Sequence, residues 1–258
     1  MTAFANRHGT GSFRRRHLLV TVDDTSVAAA IEDEMHHFAL TVHHDGRAVT
    51  AVEGAPVRWP WSPCLDSPQA LGALVGLPIA ATPADIAAWT DAREQCTHQF
   101  DLATLAIAHA SRHTNGGATR RDYVTEVPDW FDPPFTARLW RDGNLLLDWT
   151  CAADAVLEPE QFRGAPMRNR FFAWCTANLD HDMAEAAHVL RRAAWISPAR
   201  RLDLEAFDHA GESGLKAGIC FTAQPARMAV AIRSRDSLRD YGHSPGALLA
   251  GFAPETRP

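Results

Sequence analysis

Cys96-Thr97-His98-Gln99-Phe100-Asp101 sets a thiol, an imidazole and a carboxylate within one short stretch, the residue types that ligate a metal, attack a carbonyl or carry a proton. What they can do together depends on where the helix around them begins. Small or apolar residues at Trp89, Ala92, Cys96, Phe100, Ala103 and Ile107 recur every three or four positions, which predicts one buried stripe of an unbroken helix with Cys96 on its core side. His98, Asp101, Leu102, Leu105 and His109 then form a second stripe, and Cys96 and His98 point apart. If Thr97 is an N-cap instead, Cys96 precedes the helix and both side chains can converge over unpaired amides, where the helix dipole favours a thiolate. A core cysteine beside a surface histidine is the plain alternative.

The same placement recurs. Cys64, Cys96 and Cys220 each stand just ahead of an expected helix start, whereas Cys151 and Cys175 fall in a strand end and a helix and read as packing residues. Thiolates are what zinc or iron requires, so three such cysteines predict a convergent site assembled from distant segments. The expected ligand set is Cys64, Cys96, His37 and Cys220, with His98 able to join it, and with zinc as the metal. Iron, or no metal at all, is the alternative. His98, Asp101 and His36 are the expected proton carriers. The spacing is not that of a zinc finger, and no two cysteines stand two apart. Glu32, Asp33, His36 and His37 add carboxylates. Strand alternation puts Glu32 and His36 on one face and Asp33 and His37 on the other, so either a buried structural histidine or a ligand results. Trp59 and Trp61 can wall an aromatic pocket beside Cys64, or simply pack.

The elements that must position these residues read as α+β: two hairpin-rich β blocks, each followed by helices, that could form one continuous domain. The N-terminal residues 1–12 are expected to fray, and Arg14-Arg15-Arg16 to lie in a solvated turn. The first block, 13–117, carries the Cys/His site. Phe38, Leu40 and Val42 alternate with Ala39, Thr41 and His43, and His44-Asp45-Gly46 turns the chain into Ala48–Val52. A short helix follows Ser67-Pro68, and Thr82-Pro83-Ala84-Asp85 opens the next helical region, which Asn115-Gly116-Gly117 closes. In the second block, 118–243, a strand begins near Tyr123, and Thr136–Trp140 and Leu145–Thr150 pair around Asp142-Gly143. Helices near 170–177 and 182–194 follow, the second with Ala187, Val189, Leu190, Ala193 and Trp195 as its apolar side and Arg191-Arg192 at its end. A short helix is expected after Gln224, and the tail 244–258 is expected to be loosely held.

With 258 residues, 46% hydrophobic and 22% charged, the chain falls in the ordinary globular range. A net charge of −6 and a pI near 6.1 argue against a nucleic-acid partner. The longest apolar reach, 73–81, is interrupted by Gly76 and Pro78 and is too short for a bilayer. No apolar signal core follows the first methionine, so the expectation is cytoplasmic, with reduced cysteines. No phosphate loop, HExxH or GxSxG occurs.

His36-His37-Phe38, the Trp61-to-Cys64 segment, Cys96-Thr97-His98, Leu139-Trp140-Arg141-Asp142-Gly143, Leu190-Arg191-Arg192-Ala193 and Cys220-Phe221-Thr222 together resemble the motif series of the bacterial DUF2889 family. The resemblance spans about residues 13 to 241, with Gln99 where an apolar residue is expected. That family's function is uncharacterised, so it implies only that these residues occur together. The order hairpin, cysteine, helix, cysteine, helix is also similar in layout to iron-sulfur scaffold proteins of the IscU type. The leading expectation is a zinc-dependent lyase or hydrolase acting on a small molecule, retro-aldol cleavage of an aromatic compound being one concrete case. The alternatives are a metal-free enzyme with Cys96 as nucleophile and His98 as base, an IscU-like scaffold or binding protein, and an α+β domain whose cysteines merely pack. A homodimer is compatible with all of these.

Overall fold

Among the described residues, eight strands make one sheet in the order β4-β3-β2-β1-β5-β6-β7-β8, comprising β1 (Ser12–Asp23), β2 (Ser26–Glu32), β3 (His37–His44), β4 (Val49–Arg58), β5 (Arg120–Pro128), β6 (Phe135–Arg141), β7 (Asn144–Cys151) and β8 (Val156–Glu158). The structure is a computed structural model and describes residues 11–128, 133–242 and 244–256. The neighbours β2/β3, β3/β4, β5/β6, β6/β7 and β7/β8 pair antiparallel. Sheet and helices together are α+β. The expectation that residues 1–12 fray lies, for 1–10, outside the described residues, and Ser12 already opens β1.

The chain divides into two compact units. One gathers residues 17–121, 203–239 and 249–256 and holds every candidate site residue. In it, β3 alternates as the sequence predicts, with Phe38, Leu40 and Val42 buried. β2 is buried along its whole length, and its run Ala28-Ala29-Ala30 has no side-chain bulk to hold α2 (Thr97–Thr114) off the sheet. Residues 32–37 do not form one straight strand. β2 stops at Glu32 and β3 starts at His37, these two being the last paired residues of the register. Between them Asp33 accepts the Met35 and His36 amides on one carboxylate oxygen, each at 2.9 Å, and its own N–H donates to the His36 carbonyl at 2.8 Å. That tight turn reverses the expected pairing of faces: Glu32 neighbours His37, and Asp33 neighbours His36.

The helical region is also interrupted. α1 (Pro83–Trp89) begins at a capping box between Thr82 and Asp85. It ends before Thr90, and a short 3-10 turn, Ala92–Glu94, precedes α2. The expected unbroken stripe is therefore corrected: Trp89 and Ala92 are exposed, while His98, Leu102, Leu105 and His109 are buried. Cys96 is the N-cap and Thr97 the first helical residue. Cys64 lies in a 3-10 helix, Ser62–Leu74, that contains Pro68. Within the expected loose tail, two residues are held. Leu248 and Leu249 are buried, and the Leu249 N–H donates to Glu32 at 2.7 Å while its side chain joins Leu18, Val20 and Ala30.

The other unit comprises residues 11–16, 122–202 and 240–248. The arginine run belongs to β1, not to a solvated turn: Arg15 is fully buried, and Arg14 and Arg16 pair with Glu126 and Asp122. Opposite charges on neighbouring strands make a run of cations tolerable there. Asp142 and Gly143, both at positive φ, turn β6 into β7. α3 (Phe171–Asn178) and α4 (His181–Ile196) follow, with Asp180 capping α4. Trp195 departs from the expected apolar side, being 56% exposed beneath the Arg191 guanidinium, which lies 4.3 Å from its ring.

Candidate metal centre

The β2–β3 turn and the first turn of α2 bring three chemically active side chains together. Asp33, fully buried, presents one oxygen to His36 Nδ1 at 3.1 Å and the other to His98 Nε2 at 3.4 Å. The two imidazoles stack with centroids 3.7 Å apart. Among the described residues, this is the one group of three or more His, Cys, Asp or Glu side chains whose ligand atoms all lie within 4.8 Å of one another. His36 keeps an edge toward solvent, and the buried Phe38 ring packs against both histidines.

The turn is clamped from β4. Arg58, opposite His37 in the register, donates through Nη2 to Glu32 at 3.1 Å and to the carbonyls of Asp33 at 2.6 Å and His36 at 3.3 Å. Its Nη1 donates to the carbonyls of Glu34 at 3.0 Å and Ser237 at 2.7 Å. A planar guanidinium with several fixed donors suits this better than any other side chain.

No protein-family model, curated protein or solved structure matches the chain. The site must therefore be read from its own chemistry. Two imidazoles and one carboxylate are a ligand set for zinc or iron(II) that leaves coordination positions open.

His36 and His98, expected as proton carriers, do converge, and on Asp33, which the sequence reading left out of the site. Asp101 does not join them; it is half-buried on α2. His37 faces Glu32 at 3.5 Å and lines a separate groove of about 420 Å³ with Arg58, Trp59 and Ser237. Burial lowers its pKa, Glu32 opposes that, and Arg58 adds to it. Cys64, Cys96 and Cys220 occupy the same unit. Burial pushes Cys64 up to about 12 and Cys96 up to about 11. Trp61 is buried against Arg233, so of the two tryptophans only Trp59 is left to wall the groove. A signal for Asp33 exists in the sequence: an aspartate three residues before a histidine suits a turn closed by its own side chain.

Proposed function

We propose that this chain is a metal-dependent enzyme acting on a small organic molecule, of the hydrolase or lyase class, with one divalent ion held by Asp33, His36 and His98. Zinc is the leading ion and iron(II) the alternative. The observation that supports this reading is the convergence of two imidazoles and a carboxylate on one point from two distant segments. Such an ion polarises a carbonyl or lowers the pKa of a bound water. Asp33 holds the two rings in register, Phe38 keeps one side of the site dry, and the half-buried His36 gives access from solvent. Retro-aldol cleavage of an aromatic substrate keeps Trp59 for support and loses Trp61. The two hairpin-rich halves and a relationship to the DUF2889 proteins belong to the same proposal.

A metal-free reading has its own observation: Asp33 already orients both histidines as a buried carboxylate orients a general base. Nucleophilic Cys96 is disfavoured, since a thiol with a pKa of about 11 is neutral near pH 7. Elemental analysis of freshly purified protein decides between these readings. About one equivalent of zinc or iron that disappears in His36→Ala and Asp33→Asn supports the metal enzyme. Metal below about a tenth of an equivalent, or metal indifferent to both substitutions, overturns it.

A further inference from the structure

Glu32 closes β2, nearly buried, and its carboxylate joins two distant parts of the chain. Oε1 accepts from Arg58 Nη2 at 3.1 Å, and Oε2 accepts from the N–H of Leu249, 217 positions further on, at 2.7 Å. A carboxylate taken out of water needs such donors, and its charge makes each bond stronger than one between neutral groups. The Arg58 Nη2 that meets Glu32 also holds the carbonyls of Asp33 and His36. The amide of Leu249 is therefore linked to the backbone of two candidate metal ligands: amide to carboxylate, carboxylate to guanidinium, guanidinium to turn.

The Leu249 end is under tension. Its φ of +56° lies in the left-handed region, where Cβ crowds the following carbonyl oxygen. A bulky residue keeps that conformation only while its surroundings impose it. The leucine side chain is buried among Leu18, Val20 and Ala30, Phe252 and Ala39 pack against the same cluster, and the Phe252 N–H closes a turn on the Leu249 carbonyl at 3.1 Å. Apolar burial thus holds the strained amide on Glu32. Without that packing the segment relaxes and the carboxylate loses a donor, which shifts the guanidinium that fixes the turn.

We propose that residues 249–252 are a latch on the candidate metal centre: docked, they set the Asp33–His36 turn through Glu32 and Arg58, and released, they let it loosen. Glu32 is a positioning residue that acts through Arg58 rather than on the ion. The inference rests on the Asp33-His36-His98 reading for the metal, while the coupling of tail to turn needs no ion. Its consequence is regulatory: a change at the C-terminal segment alters the centre without altering a ligand, because the docked and released states hold the turn differently.

The test compares the full chain with Glu32→Gln, Leu249→Ala and a control, Leu74→Ala, which is buried in the same unit outside the Leu249 cluster. It reads Zn²⁺ affinity by calorimetric titration and the imidazole ¹⁵N signals of His36 and His98 in chelator-treated protein. In Glu32→Gln and Leu249→Ala the affinity is expected to fall about tenfold, and both imidazole signals to move. In Leu74→Ala the affinity is expected to stay within about twofold, and the signals to stay in place. Glu32→Gln keeps the shape of the side chain, so it decides the matter should Leu249→Ala not fold. Unchanged affinity and unmoved signals in Glu32→Gln overturn the latch and leave the metal reading intact. Equal changes in Leu74→Ala overturn it too, since they mark general loosening. An unaltered protein that binds no zinc overturns the metal reading, and the latch then stands if the imidazole signals respond to Glu32→Gln and falls if they do not.

Discussion

His36 and His98 lie ring over ring, their planes 25° from parallel, and each directs a nitrogen to a different oxygen of Asp33. As N–H donors the two ring nitrogens reach both oxygens of one buried carboxylate.

Asp33→Asn keeps the shape of the turn and removes its charge. The Asn side-chain oxygen can still take the Met35 and His36 amides, so the expected stability loss is modest, about 1–3 kcal/mol by urea titration. Metal affinity is expected to fall much further, roughly 10- to 100-fold or more by isothermal titration with Zn²⁺. Equal affinity in the two proteins would show that Asp33 serves the turn alone.

Arg58→Ala leaves Glu32 buried without its cation and frees the carbonyls of Asp33, Glu34 and His36. The expected cost is about 3–5 kcal/mol in denaturant unfolding. Arg58→Lys keeps the charge but not the fork, and should fall between the two. A loss below about 1 kcal/mol for Arg58→Ala would show that the turn holds without the clamp.

Much of this architecture is legible in the residues. The alternation of Phe38, Leu40 and Val42, the Thr82–Asp85 capping box and the Asp142-Gly143 turn all carry local signals that the fold obeys. What escapes is decided by distant partners. Arg14 and Arg16 read as solvated until Glu126 and Asp122 of β5 pair with them. Leu249 reads as tail until Glu32 accepts its amide. Asp33-Glu34-Met35-His36 contains no glycine or proline, so alternation runs straight through a turn that the Asp33 side chain closes by itself. His36 and His98 are visible as chemistry, but their meeting depends on how α2 packs against β2 and β3.

Gly54 lies where β4 meets the 3-10 helix of Cys64. A methyl group there would come within 2.7 Å of Pro68 Cβ and 3.0 Å of Gln99 Oε1. Gly54→Ala is expected to cost about 1–3 kcal/mol. An unchanged melting temperature would contradict this.

Acid should weaken the fold before carboxylates titrate. Burial lowers His109 and His188 from 6.5 to about 4, with arginines nearby acting in the same direction. Between those values the unfolded chain takes up protons that the folded protein refuses, so stability falls as pH drops from 6.5 toward 4. Each histidine contributes a slope of about 1.4 kcal/mol per pH unit at most. His109→Leu is expected to flatten the urea-midpoint profile between pH 6.5 and 5, and an unchanged profile would refute the assignment.

The site-bearing unit is stitched from residues 17–121, 203–239 and 249–256, so its β2–β4 strands and its α2 helix leave the ribosome long before the segments that complete them. Until Ser237 and Leu249 have been synthesised, Arg58 and Glu32 lack two of their backbone partners. The nascent first block therefore waits half-closed while its β2–β4 surface is at risk of wrong pairing. Translation speed and chaperone supply become determinants of how much of this protein reaches its finished form.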